Sequence, residues 1–155
     1  MKQGIRFAPM KARVGTMSKS FIEKSIEISA PTSNVWSVFT DPVLTRQMGG
    51  EYVSDWKVGS AFRWKGGDGT IITNGSIVDI TPERRLKHSL FNSVGSIHSV
   101  ITYEFEEENS VTTLHAREDF AQPITENEYA DAAEGWDTAL LAVKETAEKY
   151  HRGKR

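Results

Sequence analysis

The stretch that decides the fold is TENEYADAAEGWDTALLAVKETAEKY, residues 125–150. Its apolar side chains recur at steps of three and four residues, which is the period of one face of an α-helix. Thr125 is followed three residues later by Glu128, a capping-box pattern that marks a helix start. The sequence therefore predicts one amphipathic helix of about seven turns. Its apolar stripe contains Tyr129, Ala133, Trp136, Leu140, Val143, Ala147 and Tyr150.

The sequence before this helix is rich in strand patterns. Residues 20–29 alternate, with Ile22, Ile26 and Ile28 on one side and acidic or small polar residues on the other. Short alternating segments then continue from residue 61, separated by turn sequences such as GGDG and TPERR. Consecutive strands joined by short turns predict an antiparallel meander of about six strands after the first one.

Two short helices are predicted between the first strand and the meander, in SAPTSNVWSVFTDPVLTRQMGG, residues 29–50. Pro31 suits the start of the first helix, and Asp41-Pro42 suits the start of the second. A curved sheet must cover its inner face, and only the C-terminal helix is long enough to do so. The predicted fold is therefore α+β: a curved antiparallel sheet wrapped around a long C-terminal helix. The short helices would close one end, anchored to the core by Trp36 and Phe39.

Length and composition indicate a single domain. A chain of 155 residues can bury a substantial core. We expect this domain to span residues 18–151, after a disordered N-terminal extension (1–17) and before a basic tail (152–155). The sequence contains no cysteine, which excludes disulfides and thiol nucleophiles. With no long apolar run and no secretory signal, the prediction is a cytoplasmic protein without a membrane partner.

The charge distribution argues against a nucleic-acid partner. Seven of the 19 Lys and Arg residues lie in residues 1–16 and 152–155, which leaves twelve against all 21 acidic residues in the body of the chain. A nucleic-acid surface needs clustered cations to neutralise phosphates.

Three segments together resemble a known superfamily. APTSNVWSVFTDPVLTRQM, VGSAFRWKGGDGTIITNGSIVDITPERRLKHSLF and EGWDTALLAVKE occur in this order. The order is similar to that of the START-like (SRPBCC) superfamily, and within it to the branch named for the activator of the heat-shock protein 90 ATPase. The resemblance covers roughly Ser20 to Tyr150. It implies a helix-grip fold, in which the sheet holds the long helix around an elongated cavity. Where the branch often has an aromatic pair, this chain has Gln47-Met48.

Few residues suggest catalysis. The four histidines lack the close spacing of common zinc sites, so no metal and no cofactor are predicted. No nucleophile motif is present, and we predict no catalytic residue outright. His88 and Glu118 lie on the apolar parity of their strands and are expected to point inward. There they would orient a ligand or, alternatively, transfer protons.

The predicted ligand is a small hydrophobic molecule held between the long helix and the sheet. Trp56, in a loop, and Met48 are candidates for the cavity mouth, and the other aromatic residues would either fill the core or line the void. The complete predicted binding set is Trp36, Phe39, Met48, Trp56, Phe62, Trp64, His88, Leu90, Glu118, Trp136 and Leu140.

Three functions follow from these patterns. The first is a START-like binding protein, and it is favoured over an enzyme. The second is an enzyme of the polyketide cyclase or aromatase type that uses His88 or Glu118. The third is a chaperone-interacting protein that stimulates an ATPase, which the branch's name implies. The oligomeric state is left as monomer or homodimer.

Overall fold

The computed structural model describes residues 19–153, and the sheet in it has seven antiparallel strands. The strand order is β1-β7-β6-β5-β4-β3-β2, so every neighbour along the meander is also a neighbour in the sheet. This confirms the predicted sheet. The strands are β1 Lys19–Ile28, β2 Gly50–Ser54, β3 Ala61–Gly66, β4 Ile71–Thr81, β5 Arg85–Phe91, β6 Ile97–Glu108 and β7 Val111–Ile124.

Two short helices follow β1, as predicted. They are α1 Thr32–Thr40 and α2 Pro42–Thr45, and α2 continues into a 3₁₀ turn, Arg46–Met48. The Asp41 carboxylate accepts a hydrogen bond from the Val43 N–H at 3.0 Å, which caps α2. Gly49 ends the segment with a φ of 98°, a conformation that glycine adopts at little cost.

The long helix α3 spans Glu126–Gly153 and begins at the predicted capping box. The Glu128 N–H donates to Thr125 Oγ1 at 3.1 Å, and the Thr125 N–H donates to Glu128 Oε1 at 2.8 Å. The helix continues two residues into the stretch predicted as a basic tail. The predicted N-terminal extension, residues 1–17, and the last two residues of the chain lie outside the described residues.

The inner face of the sheet follows the strand parities. Across four neighbouring strands, Ile22 is paired with Glu118, Glu118 with Ile101, and Ile101 with His88. The core beneath α3 and α1 is densely packed; its fully buried members include Ile28, Val35, Val38, Leu86, Leu114 and Ala147. α3 packs on β1 and α1, so one edge of the sheet holds the helix more tightly than the other.

None of the helices within residues 19–153 combines the length and the apolar character that a membrane span requires.

Candidate functional site

A cavity of about 670 Å³ lies between α3 and the part of the sheet formed by β2 to β6. This volume is within the range of small-molecule binding sites in proteins. The sheet side of the cavity is mostly aromatic, with Tyr52, Phe62, Trp64, His88, Leu90, Ile101 and Tyr103. The helix side contributes Asp131, Glu134, Trp136, Ala139, Leu140 and Val143, and Met48 of the 3₁₀ turn lies at one end.

The cavity exists because the face of α3 that meets these aromatic residues is lined largely by small side chains. Gly135, Thr138, Ala139 and Ala142 lie along it, and none of them is long enough to cross to the sheet. A methyl group added at Gly135 would have no heavy atom within 4 Å beyond its own helix and chain neighbours. The space therefore stays open even though α3 is anchored on β1 and α1.

Gly75 allows the β3–β4 hairpin to close over the cavity. It is paired with Phe62, and a Cβ at this position would overlap the backbone carbonyl of Ser89 on β5. Only glycine permits so close an approach of two backbones. The approach brings the Phe62 ring onto the His88 imidazole, with 4.1 Å between ring centroids and 25° between planes.

His88 is the principal polar side chain of the inner wall. It is 3% exposed, and it faces the cavity as its strand parity predicted. Its Nδ1 lies 3.0 Å from the Ser89 carbonyl oxygen. Burial lowers the pKa of His88 to about 4, and the hydrogen bond to Ser89 opposes only part of that shift. The imidazole is therefore neutral at physiological pH.

Glu118 is buried but does not line the cavity. Its Oε2 accepts a hydrogen bond from Ser99 Oγ at 2.7 Å, and its Oε1 accepts one from Trp136 Nε1 at 2.8 Å. The carboxylate thus fixes the indole of Trp136, and this indole forms part of the cavity wall. Strand β6 separates Glu118 from His88, so their backbones are about 10 Å apart, two strand spacings. The two residues do not form a direct proton-transfer pair.

Two tyrosines of the cavity wall, Tyr52 and Tyr103, were not predicted from the sequence. Burial raises the pKa of Tyr52 to about 12, and it also raises the pKa of Tyr103 well above its ordinary value. Each hydroxyl group affects the pKa of the other, and both stay protonated at neutral pH. Tyr103 could have been predicted from its parity, because it lies on the same, inward face of β6 as Ile101 and Phe105. Tyr52 lies in a strand too short to show a pattern.

Seven of the eleven residues predicted for the site line the cavity: Met48, Phe62, Trp64, His88, Leu90, Trp136 and Leu140. The other four lie behind this wall or elsewhere in the core. Trp36 packs edge-on against Phe105 with 5.4 Å between ring centroids, and Phe39 packs edge-on against Tyr103 with 5.0 Å between ring centroids. Trp56 does not line the cavity and packs against Phe62, with 5.6 Å between ring centroids. Whether the seven bind a ligand stays a prediction.

The remaining histidines do not converge. The His98 ring packs against Phe120, whereas His115 interacts with Ser25 and Glu106 on the outer face of the sheet. His151 Nδ1 accepts a hydrogen bond from the Asn34 amide at 3.2 Å and so fastens the end of α3 to α1. Within residues 19–153, no three His, Asp or Glu side chains are grouped closely enough to hold a metal ion.

Comparison with known proteins identifies the family. The model of the family described as activator of Hsp90 ATPase homolog 1-like protein matches residues 29–148, more than half of the chain. The chain belongs to this family. The match includes α1, α2, the six meander strands and all of α3 up to Glu148, and therefore every residue that lines the cavity. A search of curated proteins finds no match.

Solved structures share the helix-grip fold of this family member. CalU16 from Micromonospora echinospora is 22% identical with a TM-score of 0.68, over 86% of this chain and 83% of that one. ChR145 from Cytophaga hutchinsonii is 24% identical with a TM-score of 0.69, over 86% and 97%. The Aha1 dimer from Colwellia psychrerythraea is 16% identical with a TM-score of 0.69, over 84% and 97%. At these identities the likeness concerns the fold alone.

Proposed function

We propose that this family member binds a small, mostly apolar molecule between α3 and the sheet. The cavity of about 670 Å³ carries this proposal, because its walls are aromatic and aliphatic and it lies where the helix-grip fold separates helix from sheet. Removing apolar ligand surface from water would supply the binding free energy, about 25 cal/mol for each Å² buried. The protein is expected to act in the cytoplasm.

The short helices are proposed to form the entrance. Met48 ends the 3₁₀ turn and lines the cavity, and its flexible thioether can adapt to ligands of different shape. Phe39 stacks on Tyr52 with 5.8 Å between ring centroids, which anchors α1. The adaptable side chain, Met48, lies in the 3₁₀ turn that follows.

The test is a binding titration with a cavity-blocking variant. Purified protein is titrated with an environment-sensitive hydrophobic dye and with a panel of lipids, and we expect saturable binding. Ala139→Trp places a large ring in the cavity and should weaken binding at least tenfold. Leu141→Trp is the matched control, because Leu141 lies on the same helix and does not line the cavity. Equal binding by both variants would contradict the proposal.

A second candidate is an enzyme of the polyketide cyclase or aromatase type. The observation that favours it is His88, a neutral imidazole on the cavity wall that could accept a proton from a bound substrate. Glu118 is less suited, because both of its oxygens already accept hydrogen bonds. His88→Ala should then abolish turnover with folding intact. Retained turnover in this variant would exclude the histidine mechanism.

A chaperone partner is the third candidate, and the family description supports it. A homodimer is compatible with the Aha1 dimer among the similar structures. The chaperone interaction is tested by a pull-down with an Hsp90-type chaperone, followed by an ATPase assay of the chaperone with added protein. No capture and no stimulation would eliminate it.

A further inference from the structure

The wall of the cavity carries an imidazole acceptor that, unlike the hydroxyl groups of Tyr52, Tyr103 and Thr73, cannot also donate. The Ser89 carbonyl can only accept, so His88 Nδ1, 3.0 Å away, must carry the proton of the neutral imidazole. The other ring nitrogen, Nε2, is then an acceptor with a free lone pair. Among the described residues, no donor is hydrogen-bonded to it.

The surroundings of His88 leave this acceptor to whatever occupies the cavity. The ring is packed against Phe62, its cross-strand neighbours Ile77 and Ile101 are apolar, and Tyr103, at 6.1 Å between ring centroids, makes no hydrogen bond to it. Since the side chain is 97% buried, no bulk solvent surrounds it. Nε2 is not among the sealed, unpartnered atoms of the described residues, so it is reached from the cavity. A ligand that fills the cavity without supplying an O–H or N–H would leave this acceptor unsatisfied, and a ligand that supplies one therefore gains over it.

The outer part of the cavity carries negative charge. Asp131 and Glu134 line it from α3, and both are exposed. No Lys or Arg occurs among the described residues that line the cavity. An anionic group in the cavity would therefore lie near two carboxylates and find no cation of the wall to pair with.

From these two features we infer the chemical class of the ligand. It is an uncharged or cationic molecule with an apolar body and a hydroxyl or N–H donor at its inner end, where His88 Nε2 accepts the hydrogen bond. Fatty acids and other anionic lipids are disfavoured. This inference rests on the proposed binding function and adds to it the polarity and the charge of the ligand.

Four matched fluorescent probes test the inference at neutral pH: pyrenylmethanol, its methyl ether, pyrenylmethylammonium and pyrene carboxylate. They share one apolar body and differ in donor capacity and charge. We expect the alcohol to bind roughly three- to tenfold more tightly than the ether, the usual effect of one neutral hydrogen bond. The carboxylate should bind most weakly, and the ammonium at least as tightly as the alcohol.

Variants assign the effects to residues. His88→Leu removes the acceptor and should make alcohol and ether equal, whereas His88→Gln keeps an acceptor oxygen and should retain part of the preference. Asp131→Asn combined with Glu134→Gln should strengthen carboxylate binding. Glu145→Gln is the control, an exposed position of the same helix away from the cavity.

The outcomes separate this inference from the function on which it rests. Equal affinity of the unaltered protein for alcohol and ether would overturn the donor requirement, and this comparison needs no variant to fold. Tight binding of the carboxylate would overturn the charge requirement. In both cases ligand binding itself would stand. If no probe bound saturably, the proposed function would fail, and the inference with it.

Discussion

The inner face of this protein has a filled half and a hollow half, although both are built from one sheet and one helix. In the filled half, the C-terminal part of α3 and α1 pack on β1, β7 and β6, with Val35, Val38, Leu114 and Ala147 almost wholly buried. In the hollow half, the N-terminal part of α3 faces β2 to β5 and the inner face of β6 at Ile101 and Tyr103 across the cavity, so β6 takes part in both halves. The difference shows that anchoring a helix at one end suffices to hold a void open at the other.

The side chains on α3 explain how the two halves differ. In the filled half the helix contributes Thr146 and Ala147 to a contact close enough to bury both. In the hollow half it contributes Gly135 and Ala139, and the opposing aromatic side chains do not fill the gap. The Glu118–Trp136 hydrogen bond then stiffens the wall at the border of the two halves.

The largest expected effect is a difference between two leucine truncations. Leu114→Ala, in the filled half, should lower the free energy of unfolding by about 2–5 kcal/mol, because it opens a new void in a closed core. Leu90→Ala should cost only about 1 kcal/mol, since it enlarges a space that is already open. Urea denaturation of both variants measures this. Equal costs would show that the cavity is closed in solution.

The second prediction concerns pH and the hollow half. The folded-state pKa of His88 is about 4 and its ordinary value is 6.5. As the pH falls below 6.5, the unfolded chain takes up a proton that the folded chain does not. Stability is therefore lost on acidification, by about 1.5 kcal/mol between pH 6.5 and 5.

The control for this pH dependence is His88→Gln, which cannot titrate. Its unfolding free energy, measured by urea denaturation across the same pH range, should lack that part of the slope. A slope identical to that of the unaltered protein would mean that His88 takes up a proton in the folded state, and that water reaches it freely.

The smallest expected effect concerns the start of α3, which carries the wall of the hollow half. Thr125→Ala removes the hydroxyl that accepts the Glu128 N–H, one of the two hydrogen bonds of the capping box, and should cost about 1 kcal/mol. Thr125→Ser keeps the hydroxyl and should cost far less. Hydrogen exchange should show faster opening of the first turns of α3 in the alanine variant, with the filled half unaffected. Uniform acceleration along the helix would indicate that the two halves open together.

The fold could be predicted from the sequence because its signals are local. The heptad-like stripe from Tyr129 to Tyr150, the capping box at Thr125 and the alternating strands each depend on residues a few positions apart. The inward orientation of His88 followed from the same alternation. The resemblance in motif order then selected the helix-grip arrangement.

The membership of the site could be predicted only in part, because it depends on distances between elements. Parity placed Glu118 on the inner face, but parity cannot show that Ser99 and Trp136 would occupy both of its oxygens. The loop position of Trp56 suggested the cavity mouth or a partner contact, but it could not show that the indole packs against Phe62. Tyr52 gave no signal in its short strand.

The sequence by itself determined the order of the elements, the face that each one buries and the acidic character of the chain. The tertiary structure alone decided that the space between α3 and β2 to β6 is a cavity of about 670 Å³ and not a filled core. The physical reason is that periodicity specifies which side of an element is apolar. Whether two apolar sides touch depends on the curvature of the sheet and on where the helix is anchored.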